Sequence, residues 1–328
     1  GVRCVSAGEI ARLGDRPERF VIIGAGKTAL DACVWLLEQG VDAAAIQWIR
    51  PREAWWTNRR FHQPHAVLPD FYRGLAIRLE AAAQATSIQD LFVHLEAEGL
   101  FLRIDPGTAA TMFRGTLVSE AEIGLLRRVE DVVRLGHVRR IEHDRIVLDE
   151  GSVPTSETTL HVHCAAAGLA MPALRPIVEP GRVTVQPHLL AFACFQFAML
   201  GVVEATVDSD EEKNRLCPPI QYWDADTDYW STFLATLTNA PARAAYPAPS
   251  SWVQATRLNP LACCVLQKAS WIRRRSRCCR ARSPGCREAA AVRPGSAAAA
   301  HRPAARCGSS AEALLPAPAG LRAAAAAA

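Results

Sequence analysis

Residues 19–41 read RFVIIGAGKTALDACVWLLEQGV. Residues 20–24 are a short apolar run rich in β-branched side chains and closed by glycine, the pattern of a buried strand. Residues 28–39 carry Ala29, Leu30, Cys33, Val34, Leu36 and Leu37. Their spacing predicts a helix with a broad apolar face, and Gly40 supplies its C-terminal stop. Residues 44–49 form a second apolar run, so the stretch reads as strand, glycine turn, helix and strand, a βαβ unit.

The turn itself, Gly24-Ala25-Gly26-Lys27-Thr28-Ala29, matches G-x-G-x-x-G/A. The first glycine permits the tight turn, the second lets backbone approach a pyrophosphate, and the last small residue lets helix and strand pack closely. Free N–H groups and the helix dipole favour negative charge at the start of the helix. The motif follows one strand and precedes another, the setting a dinucleotide site requires. The alternative is a close-packed turn without a ligand. Gly26-Lys27-Thr28 also imitates the end of a Walker A loop, but that motif needs glycine at position 21, which is Val. NAD sites place an acidic residue about 20 positions beyond the turn. Here that region holds Arg50 and Arg52, and a guanidinium can pair bidentately with a 2′-phosphate. NADP is therefore preferred, with NAD the alternative because Glu53 is close by. Gly24, Ala25, Gly26, Lys27, Thr28, Arg50 and Arg52 are the candidate coenzyme contacts.

Further along, residues 71–98 have helical spacing and end at Gly99, and residues 100–104 read as a strand. Ser119-Glu120-Ala121-Glu122 is a capping box before a short helix to residue 128. Residues 132–135, 138–141 and 145–148 predict an antiparallel meander, and residues 160–164 another strand. Residues 189–203 are apolar but are broken by Gln196 and are too short to span a bilayer, so they read as core. Residues 204–260 have no clear pattern.

The 328 residues are half apolar and carry a net charge of +4. The charge is uneven. From Cys263 onward eleven Arg and one Lys face two Glu, a balance of +10 that leaves −6 for residues 1–262. The leading part is thus mildly acidic, which argues against a nucleic-acid binder. Six of the eleven cysteines fall in the same tail; the other five are scattered. That usage suits free thiols in a reducing, cytoplasmic setting. The tail is rich in Arg, Ala, Pro, Gly and Cys and ends in six alanines. It is expected not to pack, and to be either an arginine-rich arm or out-of-frame translation. Weaker groupings are His161-Val162-His163-Cys164, whose alternation on a strand splits any ligand set; His62 and His65 in a loop; and Asp224, Asp226 and Asp228, which lack the glycine and glutamate of a calcium loop. No metal site is expected.

Four stretches carry a resemblance to bacterial FAD- and NAD(P)-dependent oxidoreductases of the flavin-containing-monooxygenase kind (pyridine nucleotide-disulfide oxidoreductase-like). They are residues 19–41, the following WIRPREAWW at 48–56, the meander VVRLGHVRRIEHDRIVLDEGSVPT at 132–155 with HVHCAAAGL at 161–169, and EEKNRLCPPIQYWDADTDYW at 211–230. The resemblance covers about residues 1–260. It implies an NADP domain of Rossmann type inserted into an FAD domain, with hydride passing from NADPH to flavin. It further implies that the meander and residues 161–168 return to the FAD domain, with Gly168 near flavin. Ala167 stands where the family more often has a hydroxyl residue. No G-x-G-x-x-G precedes Gly24, so the expectation is a fragment without the FAD fingerprint. The expected divisions are 1–17, a remnant of the FAD domain; 18–128, the NADP domain; 129–205, meander and second FAD part; 206–262, a C-terminal segment; and 263–328, a disordered tail. The alternatives are a non-enzymatic NADP-binding module or decayed gene product, and a flavin-independent NADP dehydrogenase. No catalytic residue is assigned, and the substrate is an unidentified small molecule; neither nucleic acid nor membrane is expected as a partner.

Overall fold

The computed structural model describes residues 2–15, 17–62, 68–166, 173–190, 193–221, 223 and 225–259. The chain divides into Gly1–Leu261 and Ala262–Ala328, and the described residues belong to the first unit. Its strands are β1 (Arg3–Ser6), β2 (Arg19–Ile23), β3 (Ile46–Ile49), β4 (Glu53–Asn58), β5 (Phe101–Leu102), β6 (Ala110–Val118), β7 (Val132–Val133), β8 (Val138–Ile141), β9 (Arg145–Leu148), β10 (Gly151–Pro154), β11 (Thr159–His163), β12 (Val178–Glu179) and β13 (Arg182–Val183). Its helices are α1 (Lys27–Glu38), α2 (Leu68–Gln84), α3 (Ile88–Ala97), α4 (Glu120–Leu126), α5 (Ala193–Thr206), α6 (Asp210–Leu216), α7 (Asp226–Ala244) and α8 (Pro247–Ala255).

A five-stranded sheet in the order β1-β11-β2-β3-β7 is parallel throughout. Alternation along its strands sends neighbouring side chains to opposite faces. Phe20 and Ile22 of β2, Ile46 and Trp48 of β3, and Leu160 and Val162 of β11 join one core with Ala29, Leu30, Cys33 and Leu36 of α1. Val21, Ile23, Ile49 and Val133 point the other way and meet Ile146 and Leu148 of the meander. Helix thus covers one face and meander the other, which is why these strands read as continuous apolar runs. The result is a Rossmann-like α/β unit.

A second sheet, β5-β4-β6, lies beside it. All six residues of β4 are buried. Ala54 and Trp56 join the α1 core. Trp55 lies 5.3 Å from Phe92 between ring centroids, in an aromatic cluster where Phe92 stacks on Phe101 at 5.0 Å and Phe113 meets Tyr229 edge-on at 4.9 Å. Among the described residues, no helix is long and apolar enough to cross a membrane.

Several elements differ from the sequence expectation. The helical run at 71–98 is two helices. Ser87 Oγ accepts the Asp90 N–H at 3.1 Å, while the Asp90 carboxylate accepts the Thr86 N–H at 2.8 Å. This reciprocal cap starts α3 afresh. Residues 132–133 leave the meander and pair with β3 in the parallel sheet; the third meander strand is β10. The resemblance assigns residues 161–164 to a separate domain, yet β11 sits between β1 and β2 in the sheet that carries the glycine turn.

Candidate functional site

The glycine turn runs from the end of β2 to the start of α1, across the C-terminal ends of the parallel strands. This is where ligands bind in open α/β sheets. Gly24 sits at φ +139°, and a Cβ there would come within 2.7 Å of the Cys164 carbonyl oxygen. Its N–H donates to Ile49 O at 3.0 Å, and its carbonyl accepts the Trp48 indole N–H at 2.8 Å. Gly24 is therefore required by the packing of β11 and β3 against the turn.

Gly26 differs. It is the N-cap of α1 in extended conformation, with φ −94°, and no heavy atom lies within 4 Å of where its Cβ would be. Its carbonyl accepts the Ala29 and Leu30 N–H groups at 3.0 and 3.2 Å. No side chain caps this end, and no acidic residue occupies the first turn. The first N–H groups of the helix thus have no side-chain cap, and no carboxylate of the first turn offsets the dipole there. Ala25 and Lys27 are half-buried and Thr28 is exposed. Lys27 Nζ pairs with Asp31 and, at 3.4 Å, with Glu122 of α4; Glu122 in turn lies 3.5 Å from Arg59.

The two arginines part company. Arg52 is exposed, its Nη2 resting 3.6 Å from Met112 Sδ. Arg50 is only 2% exposed. Its guanidinium lies 4.6 Å from the centroid of Trp48 and pairs with buried Glu53 at 3.2 Å. Glu53 also accepts the Ile104 N–H at 3.2 Å and faces Arg134 at 3.4 Å, which reaches Asp105 at 3.0 Å. Burial lowers the Arg50 pKa from its ordinary value and Glu53 opposes that. Trp48 connects the two features, holding Gly24 by its N–H and Arg50 by its face. Arg50 thus braces the turn from beneath, and Arg52 remains at the surface. Gly168 lies outside the described residues.

The weaker groupings resolve structurally. His161 is 1% exposed and is held by Arg3 O at 3.0 Å and Thr155 Oγ1 at 2.8 Å. Among the described residues, no group of three His, Cys, Asp or Glu could hold a metal. Asp228 accepts the Ala225 N–H at 3.0 Å at the start of α7; Asp224 and His65 lie outside the described residues. His62 contacts Arg78 Nη2 through Nε2 at 3.1 Å and Asn58 O through Nδ1 at 3.3 Å. Burial, aided by the Arg78 charge, pushes its pKa down to about 4. Cys4, Cys33, Cys164, Cys194 and Cys217 are free thiols.

No known family model matches the chain. Uncharacterized proteins of Mycobacterium tuberculosis (strain H37Rv) and Mycobacterium bovis (strain AF2122/97) are each 39% identical over 263 residues, 80% of this chain and 49% of theirs. The chain therefore spans about half the length of the curated relatives it matches. Among solved structures, the L-lysine 6-monooxygenase of Pseudomonas syringae overlaps 52% of this chain and 42% of its own, with 11% identity and a TM-score of 0.25. A superposition that slight leaves the functional reading to the residues themselves.

Proposed function

We propose that this chain carries the coenzyme site of an NAD(P)H-dependent oxidoreductase of the flavoprotein, monooxygenase-like kind. The supporting observation is the opening at Gly26. A helix N-terminus without a side-chain cap lies at the C-terminal edge of a parallel sheet, with room beside Gly26 and the turn fixed by Trp48 and by the end of β11. A pyrophosphate fits that place, because the unpaired amides are donors and the dipole is positive there. The chemistry such a coenzyme supplies is hydride, taken up by FAD in the enzymes the sequence resembles. In this reading, the parallel sheet β1-β11-β2-β3-β7 with α1 is the NADP-binding part. Gly26, Lys27 and Thr28 orient the pyrophosphate through backbone amides, and Arg52 holds a 2′-phosphate. Lys27 is available to an incoming anion once it leaves Asp31 and Glu122.

The decisive variant is Gly26→Asp. Aspartate is a good N-cap, so the fold is retained, while its carboxylate takes up the free amides and repels phosphate. NADPH affinity by titration calorimetry should fall about tenfold or more, with an unchanged melting temperature. Undiminished binding by this variant, or no NADPH binding by the parent chain, overturns the reading. Arg52→Ala should weaken NADPH several-fold and NADH hardly at all; equal losses would remove the 2′-phosphate assignment.

A further inference from the structure

A sizeable apolar space lies away from the glycine turn. A cavity of about 670 Å³ opens between β6, α2, α5, α7 and α8. Phe113, Leu117, Phe195, Met199, Trp223 and Phe233 form much of its wall, and none of the described candidate coenzyme contacts lines it. Gly115 helps to make it. At φ +64° it carries no side chain where the Trp223 ring lies across β6.

The charged side chains among the described residues of this chamber are arginines. Arg78 is 7% exposed. It donates through Nε to Tyr229 Oη, through Nη1 to Gly74 O at 2.9 Å, and through Nη2 to His62 Nε2. His62 donates from Nδ1 to Asn58 O, so its Nε2 is the acceptor and the ring is neutral. A guanidinium has five N–H groups, so two of Arg78's remain. Arg243, also on the wall, bonds only carbonyls, Thr236 O at 3.1 Å and Leu216 O at 3.5 Å. The indole N–H of Trp223 is buried with no acceptor. No Asp or Glu lies among the described residues of the lining. Two guanidiniums, on Arg78 and Arg243, thus meet an apolar space whose described lining holds no carboxylate. A buried charge without a counter-ion is costly, and an anion entering the chamber removes that cost.

We propose that this cavity binds an amphiphilic carboxylate: an apolar chain or ring among Phe113, Phe195 and Phe233, with its head group on Arg78 and Tyr229. The volume is that of a site for a drug-sized ligand. The apolar body gains by leaving water, and the guanidinium sets the sign of charge accepted. The inference stands without the coenzyme site, since the two share no candidate residue.

The test is calorimetric titration of the full chain with dodecanoate, dodecan-1-ol and dodecyltrimethylammonium, all below their micellar concentrations. Dodecanoate should bind saturably with one site, at least tenfold tighter than the alcohol, and the cation should not bind. Arg78→Met should bring dodecanoate to the level of the alcohol and leave the alcohol within twofold. If that variant fails to fold after losing its bonds to Tyr229, Gly74 and His62, Leu237→Trp serves instead. Leu237 lines the cavity from a 40%-exposed position on α7, and the larger ring should abolish dodecanoate binding. Equal affinity for acid and alcohol, no saturable heat with the parent chain, or unchanged binding in Leu237→Trp would each overturn the proposal.

Discussion

Gly24 and Gly26 stand two positions apart and answer to different constraints. Gly24 is fixed by its positive φ and by the Cys164 carbonyl against its Cα; Gly26 has an ordinary backbone and empty space beside it. Gly24→Ala should therefore cost about 2 kcal/mol in urea unfolding. Gly26→Ser, which keeps a good N-cap, should stay within about 0.5 kcal/mol of the parent. Equal effects would mean that the close approach of β11 does not constrain the turn. Arg50 and Glu53 form the second residue-scale pair. Both are buried, and Arg50 Nε and Nη1 have no hydrogen-bond partner. Glu53→Gln leaves Arg50 and Arg134 without their shared anion and should cost about 3 kcal/mol. The double variant Arg50→Met/Glu53→Met should recover most of that loss. If the double variant is as unstable as Glu53→Gln alone, the pair is not what holds this region.

At the scale of elements, the sequence shows most clearly what neighbours in the chain decide. The β2–α1–β3 unit is legible because its apolar periods, its glycines and its turn are all local. β7 is not, because two valines are claimed by β3 from more than 80 positions away, not by the adjoining hairpin. β4 escapes notice because EAWWTN is buried on both faces and shows no alternation to read. The break between α2 and α3 was present in Thr86-Ser87 and Asp90, but an unbroken apolar period hides it. Ser87→Ala should cost about 1 kcal/mol, with the loss of amide protection confined to the first turn of α3. Loss spread evenly along both helices would show that they behave as one. The cavity was the least legible feature. His62 stands out in the sequence, whereas Arg78, Tyr229 and Arg243 come from α2 and α7, and nothing in their local pattern announces that they meet.

For the whole molecule, three histidines, two of them buried and His62 half-buried, set how stability responds to acid. Burial pushes His62 and His188 down to about 4 and also lowers His161. His188 is fully buried and contacts Gln196 O through Nε2 at 2.7 Å. Each is neutral in the folded chain, whereas the ordinary value is 6.5. The unfolded chain therefore takes up protons first as pH falls, and the folded state loses ground from about pH 6.5 downward until His62 and His188 themselves protonate near 4. Paired carboxylates such as Glu122 and Glu212 are held below their ordinary 4.5, so their contribution is lost only further into acid. The interval between about pH 6.5 and 4.5 thus belongs to the histidines. By pH 5.5, His62 and His188 together should have cost about 3 kcal/mol relative to pH 7.5, read as a lower urea midpoint at unchanged slope. His62→Gln/His188→Gln, whatever its absolute stability, should flatten that dependence because neither position can take up a proton. A double variant that keeps the parent's pH slope would place the acid sensitivity elsewhere in the molecule.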